Sequence, residues 1–278
     1  MKAAAFAYER PSDLNAALAL TARTDAASKI IAGGQSLGPM LNLRLVEPDL
    51  IIDISGLSEL KHAERSGDEL VIGACITHGD IEDGRIPDVT RGAMQRVAGA
   101  IAYRAVRNRG TIGGSLSHAD PAADWISALA ALGAKVTLRS LAEARHLAIE
   151  DFITGALESA LRPGEIVEAV RVPALRPSAK WGYVKACRKT GEFAHAIAAV
   201  LIDPEQTNAR VVIGALDAAP IVVGDAAALF GGRVTGDFKR QFDVRLADAI
   251  LMKAGIANAA DRHIHVAVLR RAIVEAAT

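Results

Sequence analysis

The chain has 278 residues, which at about 150 residues per domain suggests two domains. Lys plus Arg and Asp plus Glu each number 32, so the formal net charge is zero, which excludes a broadly cationic surface built for nucleic acid or anionic lipid. Hydrophobic residues make up 51 % against 4 % aromatic, which excludes a disordered chain and predicts a core of Ala, Val, Ile and Leu.

In chain order, Pro11-Ser12-Asp13 supplies cap candidates for a helix over 14–20, whose apolar residues recur at helical spacing. Residues 29–32 read as a short strand entering Gly33-Gly34. One or two helical turns follow over 40–45, and 50–54 is again strand-like. A strand is expected over 69–74, helices over 90–100 and 122–132, and strands over 135–138 and 165–172. Asp120-Pro121 offers a cap and first position for the second of those helices. Pro173 closes the last strand, and the stretch 173–177 is the best linker in the chain. Beyond it, strands are expected over 181–186, 195–202 and 209–215, then two long helices over 237–257 and 261–277. The expected organisation is a first domain over 1–175 and a second over 178–278.

The only cysteines are Cys75 and Cys187, too few for an all-cysteine iron–sulfur cluster or a four-cysteine zinc site on this chain. Sparse cysteines fit a reducing compartment, residues 1–10 carry no signal-like apolar stretch, and no apolar run reaches the roughly 18–20 residues that span a bilayer. A cytoplasmic protein without a membrane span is expected.

Two glycine pairs stand out, in Ala32-Gly33-Gly34-Gln35-Ser36 and in Gly110-Thr111-Ile112-Gly113-Gly114-Ser115. Glycine lets backbone N–H groups approach a phosphate with no Cβ in the way, whereas an ordinary tight turn is the plain alternative for either pair alone. Neither is a dinucleotide fingerprint of the G-x-G-x-x-G type or a P-loop. Gly34-Gln35-Ser36-Leu37-Gly38 matches the G-x-S-x-G elbow of serine hydrolases, with Asp203 or Asp217 and His263 or His265 downstream, but only about one strand fits before it. His263 and His265 would point to different faces of a helix start and cannot chelate as an i, i+4 pair. His118 beside the second glycine run, and the basic run Arg104, Arg107 and Arg109, fit either ligand contacts or ordinary solvated surface.

The string Ala32-Gly33-Gly34-Gln35-Ser36-Leu37, followed by Arg107-Asn108-Arg109-Gly110-Thr111-Ile112-Gly113-Gly114-Ser115 and His118-Ala119-Asp120-Pro121-Ala122-Ala123-Asp124, resembles the FAD-binding medium subunit of the molybdenum hydroxylases, the family of aerobic carbon monoxide dehydrogenase and xanthine dehydrogenase. The likeness continues through Asp53-Ile54, Glu165-Ile166-Val167 and the KACRK string at 185–189. It implies an α+β fold: an FAD-binding domain of the vanillyl-alcohol-oxidase-like (PCMH) type over 1–175 in two α+β subdomains, about 1–56 and 57–175, followed by a smaller α/β C-terminal flavoprotein domain over 178–278. It also implies an oxidoreductase subunit whose FAD carries electrons to an external acceptor, with the molybdenum–pterin centre on a large partner subunit and two [2Fe–2S] clusters on a small one, in a dimer of heterotrimers. By the same resemblance Ile31, Ala32, Gly33, Gly34, Gln35, Ser36 and Leu37, with Thr111, Ile112, Gly113, Gly114 and Ser115, would wrap the diphosphate through backbone amides. Ile101 would pack on the adenine and Asp124 would bond a ribose or ribityl hydroxyl, while Val167, Lys185 and Phe193 would lie near the isoalloxazine. Gln35 stands where carbon monoxide dehydrogenases commonly have His, so an N-heterocycle, purine or aromatic aldehyde is the expected substrate of the complex. The alternatives are a stand-alone flavin oxidase and a serine hydrolase using Ser36.

Overall fold

The structure is a computed structural model describing residues 2–278. Its first unit holds β1 (Ala7–Glu9), α1 (Leu14–Thr21), β2 (Ser28–Ile31), α2 (Leu37–Asn42) and β3 (Leu50–Asp53). The strands form a parallel sheet in the order β1-β3-β2, with Tyr8 opposite Ile51 and Ile30 opposite Ile52. The Asp13 carboxylate accepts from the Ala16 N–H at 2.8 Å, starting α1 where the sequence places its cap. Ala17 and Leu18 of that helix then pack on Leu50, Ile52 and Leu57.

The second unit runs through β4 (Ala63–Ser66), β5 (Glu69–Gly73), α3 (His78–Glu82), α4 (Ala93–Ala100), α5 (Arg104–Arg107), α6 (Ile112–His118), α7 (Asp124–Ala131), β6 (Lys135–Arg139), β7 (Ala144–Ala148), α8 (Ile149–Phe152), the short pair β8 (Ile153–Gly155) and β9 (Glu158–Ser159), and β10 (Ile166–Pro173). An antiparallel sheet in the order β4-β5-β10-β6-β7 forms its floor. The third unit is an antiparallel meander of β11 (Lys180–Ala186), β12 (Ala196–Asp203), β13 (Asn208–Gly214) and β14 (Ile221–Val223), followed by α9 (Phe238–Gln241), α10 (Val244–Lys253) and α11 (Ala259–Ala276). The mixed α+β class expected from the sequence is what forms.

Helix α7 lies between the two antiparallel sheets, and all eight of its residues are buried. Strand β12 is apolar on both faces because both are covered. Ile197 and Ala199 join the core of α7, while Ala198, Val200 and Ile202 join that of α11. Backbone approach is close on each side: a Cβ at Gly182 would sit 1.9 Å from the Ala272 carbonyl oxygen of α11, and one at Gly214 would sit 2.0 Å from Ser127 Oγ of α7.

Two expectations are corrected. The single helix over 237–257 is broken after Gln241, because Phe242 is extended and the Asp243 carboxylate caps a new helix at the Arg245 and Leu246 N–H groups. The second glycine run is the start of α6 rather than a loop: Thr111 is its N-cap, accepting from Gly114 N at 3.1 Å, and Gly113 lies where a Cβ would meet Ala74 Cβ at 2.4 Å.

Candidate functional site

The carboxyl ends of the parallel strands β1, β2 and β3 lead to Arg10, Gly33 and Ser55, and together they border a cavity of about 270 Å³. Lys61, Thr77, Arg109 and Thr111 close its other side. The carboxyl edge of parallel strands is where such sheets generally offer a crevice to ligands.

After Ile31 the chain turns through residues 32–36 into α2, with Gly34 at φ +70°, a left-handed conformation that favours glycine. Gly33 is required for a different reason: a Cβ there would lie 2.0 Å from the Arg109 carbonyl oxygen and 2.8 Å from Gly110 Cα. The two glycine segments, about 75 positions apart along the chain, therefore touch backbone to backbone. Among the described residues the N–H groups of Gly33, Gly34, Gln35 and Ser36 have no acceptor. The second segment differs. Its N–H groups at Ile112, Gly113, Gly114 and Ser115 go to Ile76 O, Ala74 O, Thr111 Oγ1 and Thr111 O. In this structure the second segment therefore offers hydroxyl groups and the bare surface of Gly114, while the first turn holds the free amides.

Asp124, Lys185 and Ile101 form a second group. The Lys185 ammonium lies 2.9 Å from Asp124 Oδ1 and donates to the Ala100 carbonyl at 2.8 Å, directly before Ile101. Tyr183, two residues before Lys185 and so on the same face of β11, donates its hydroxyl to Asp124 Oδ1 at 2.6 Å. Tyr183 was not singled out from the sequence, although its i, i+2 spacing from Lys185 was the available signal. Burial and the adjacent carboxylate hold its phenol well above the ordinary value. Both Asp124 oxygens are engaged within the chain, so any ligand contact there is shared with this ion pair.

Val167 is buried in the core of β10 at a register shift, leaving its backbone rather than its side chain for contact. Phe193 is 70 % exposed, on the bend that His195 N closes onto Ala186 O, and Gly191 of that bend has φ +87° and would bring a Cβ within 2.8 Å of the Ala102 carbonyl oxygen.

Beneath the second segment, His78 is 5 % exposed, and its Nδ1 accepts from Trp125 Nε1 at 3.0 Å. Burial, reinforced by the Arg107 charge, lowers its imidazole pKa to about 4. Cys75 lines the cavity, but desolvation pushes its thiol up to about 12. The Arg104 and Arg107 guanidiniums are paired with Glu82 and Asp83. Arg109 has no carboxylate partner among the described residues. Ser36 Oγ makes no hydrogen bond to a histidine or carboxylate, and His265 is buried on α11, so no serine triad is assembled. No group of three or more metal-ligating side chains occurs among the described residues, and no described helix is long and apolar enough to cross a membrane.

A sequence profile described as "FAD binding domain in molybdopterin dehydrogenase" matches residues 4–175. The chain belongs to this family. As an FAD-binding molybdopterin dehydrogenase chain it is 33 % identical to the caffeine dehydrogenase subunit beta of Pseudomonas sp. strain CBB1, over 97 % of this chain and all of that one. Its fold superposes on a chain of carbon monoxide dehydrogenase from Hydrogenophaga pseudoflava with a TM-score of 0.88 at 28 % identity, covering 99 % and 98 % of the two chains. Quinoline 2-oxidoreductase from Pseudomonas putida 86 gives 0.85 at 30 % identity, covering 100 % and 98 %. The family makes this an oxidoreductase subunit with an FAD-binding domain, as the sequence motifs imply.

Proposed function

We propose that the chain is the electron-transfer subunit of a molybdenum hydroxylase complex, its FAD receiving electrons from [2Fe–2S] clusters on a small subunit, supplied by a molybdenum–pterin large subunit, and passing them to an external acceptor. The observation that carries this reading is the run of four acceptor-free N–H groups at 33–36, pressed against the 109–111 backbone by a glycine that admits no side chain. Successive free amides make a concave donor array suited to a diphosphate. Residues 31–37 would hold it through those amides, while Thr111 and Ser115 would add hydroxyls and Ile112, Gly113 and Gly114 would form the close wall. Ile101, Asp124 and Lys185 would flank the cofactor as one group, Val167 through its backbone, and Phe193 would present a ring face. Bound flavin supplies the redox chemistry; the protein binds, orients and tunes it.

For the substrate of the complex, an N-heterocycle, purine or aromatic aldehyde is favoured over carbon monoxide. Gln35 supports this, and so do the names of two relatives, which state caffeine and quinoline. A cytoplasmic dimer of heterotrimers is the corresponding assembly. The test is purification of the chain with its partners, with subunits identified by mass and flavin by its blue absorption. A yellow chain that copurifies with an iron–sulfur and a molybdenum subunit is expected. A colourless chain that takes up no FAD, or one that alone turns over a small substrate, would overturn the reading.

A further inference from the structure

The second glycine segment has spent its own amides within the chain, so something else must fix where its hydroxyls and bare surface stand. His78 occupies that place. Its backbone N–H donates to the Gly110 carbonyl at 2.9 Å, and its ring packs on Gly110 so closely that a Cβ there would lie 2.9 Å from both Cδ2 and Nε2. On its other side Nδ1 accepts from Trp125 Nε1 at 3.0 Å, and Trp125 is fully buried directly after Asp124 at the start of α7. With Nδ1 accepting, the neutral ring carries its proton on Nε2. One buried imidazole thus touches the residue that precedes Thr111 and is bonded to the residue that follows Asp124.

We propose that His78 is a positioning residue for the cofactor: its hydrogen bond to Trp125 keeps the 110–115 segment in register with the Asp124–Lys185 pair, so that the diphosphate end and the flavin end of the site stay at a fixed separation. The inference rests on the FAD reading above. The 74–78 strip supports it independently of any ligand, because it also accepts from Ile112 N at Ile76 O and from Gly113 N at Ala74 O, and so is the frame on which the whole segment hangs. An indole N–H left buried without its acceptor is costly, so the link has no cheap alternative geometry.

The test is a cycle on the full chain. His78→Leu deletes the acceptor, Trp125→Phe deletes the donor, and His78→Asn restores an acceptor near the place of Nδ1. FAD affinity and the circular dichroism of the bound flavin are measured at a temperature where each variant is folded. His78→Leu and Trp125→Phe should each weaken FAD binding about tenfold, the double variant should be no weaker than either, and His78→Asn should recover most of the loss, the coupling expected of a contacting pair. Where His78→Leu does not fold, Trp125→Phe and His78→Asn carry the same comparison. A variant that melts earlier yet keeps wild-type FAD affinity and wild-type flavin dichroism would show a purely structural histidine and overturn the inference. A wild-type chain that binds no FAD would instead overturn the function proposed above, and the positioning role with it.

Discussion

Gly33 and Gly114 are both glycines of the proposed diphosphate site, but their surroundings assign them different work. At Gly33 the missing Cβ would collide with the Arg109 carbonyl oxygen at 2.0 Å, a backbone atom that cannot swing aside. Gly33→Ala must therefore part the two segments, an overpacking cost of roughly 1–3 kcal/mol, and should lower both thermal stability and flavin content. At Gly114 the Cβ would meet Thr111 Oγ1 at 2.8 Å, a hydroxyl that can turn, with Ala32 Cβ next at 3.9 Å, and the residue is exposed. Gly114→Val should empty the site of flavin with a smaller fall in Tm, since the added methyls project over the surface proposed to face the diphosphate. Flavin-to-protein ratio and calorimetry separate the cases: full FAD occupancy in Gly114→Val would remove this segment from the site.

Among the elements, α7 and β11 are joined by the Asp124–Lys185 pair, whose side chains are 9 % and 11 % exposed. Removing one partner of such a pair typically costs about 3–5 kcal/mol because the other charge is left buried, whereas replacing both by apolar groups is often neutral. Asp124→Asn should accordingly destabilise the chain more than the double variant Asp124→Asn/Lys185→Met, which removes the stranded ammonium while the amide oxygen still accepts from the Tyr183 hydroxyl, with Tm falling roughly 2–4 °C per kcal/mol for a chain of this size. A double variant less stable than Asp124→Asn would mean that shape, not charge balance, dominates there. Elements with continuous apolar runs, such as β3 and β12, were legible in the sequence because burial on both faces leaves that mark. Strand β4 was not: Ala63, Glu64, Arg65 and Ser66 show no apolar alternation, and the strand exists through its pairing with β5. The helical start of α6 was hidden by two glycines that disfavour helix locally, of which Gly113 is demanded by the approach of Ala74. Most of the candidate site was named by its motifs, but the partners that hold it were not. Tyr183 lies 59 positions from Asp124 and Trp125 lies 47 from His78, separations at which no local pattern reports contact.

Across the whole molecule, long cationic side chains stitch the second unit to the third through backbone carbonyls: Arg96 reaches Tyr183 O at 2.9 Å, Arg210 reaches Ala130 O at 2.7 Å, and Lys185 reaches Ala100 O. With α7 packed into both sheets, these two units should melt together. Stability should then follow the pH response of the buried groups they share. His78 is held neutral, with its pKa lowered from 6.5 to about 4 by burial and Arg107, and buried His265 on α11 is lowered in the same direction by desolvation. A depressed base binds fewer protons folded than unfolded, so its contribution is complete above pH 6.5 and is lost as pH falls from there to about 4. For His78 the shift corresponds to about 3 kcal/mol. The hydrogen-bonded carboxylates of Asp80 and Glu165, also held below their ordinary values, begin to lose their contribution only as pH falls to those ordinary values, 3.8 and 4.5, and go on losing it below them. Tm measured stepwise from pH 8 to pH 4 should therefore start to fall near pH 6.5, well before any carboxylate titrates, and the slope between 6.5 and 4 should flatten in His78→Asn. Parallel wild-type and variant profiles through that window would show that protonation of His78 is not what the fold resists.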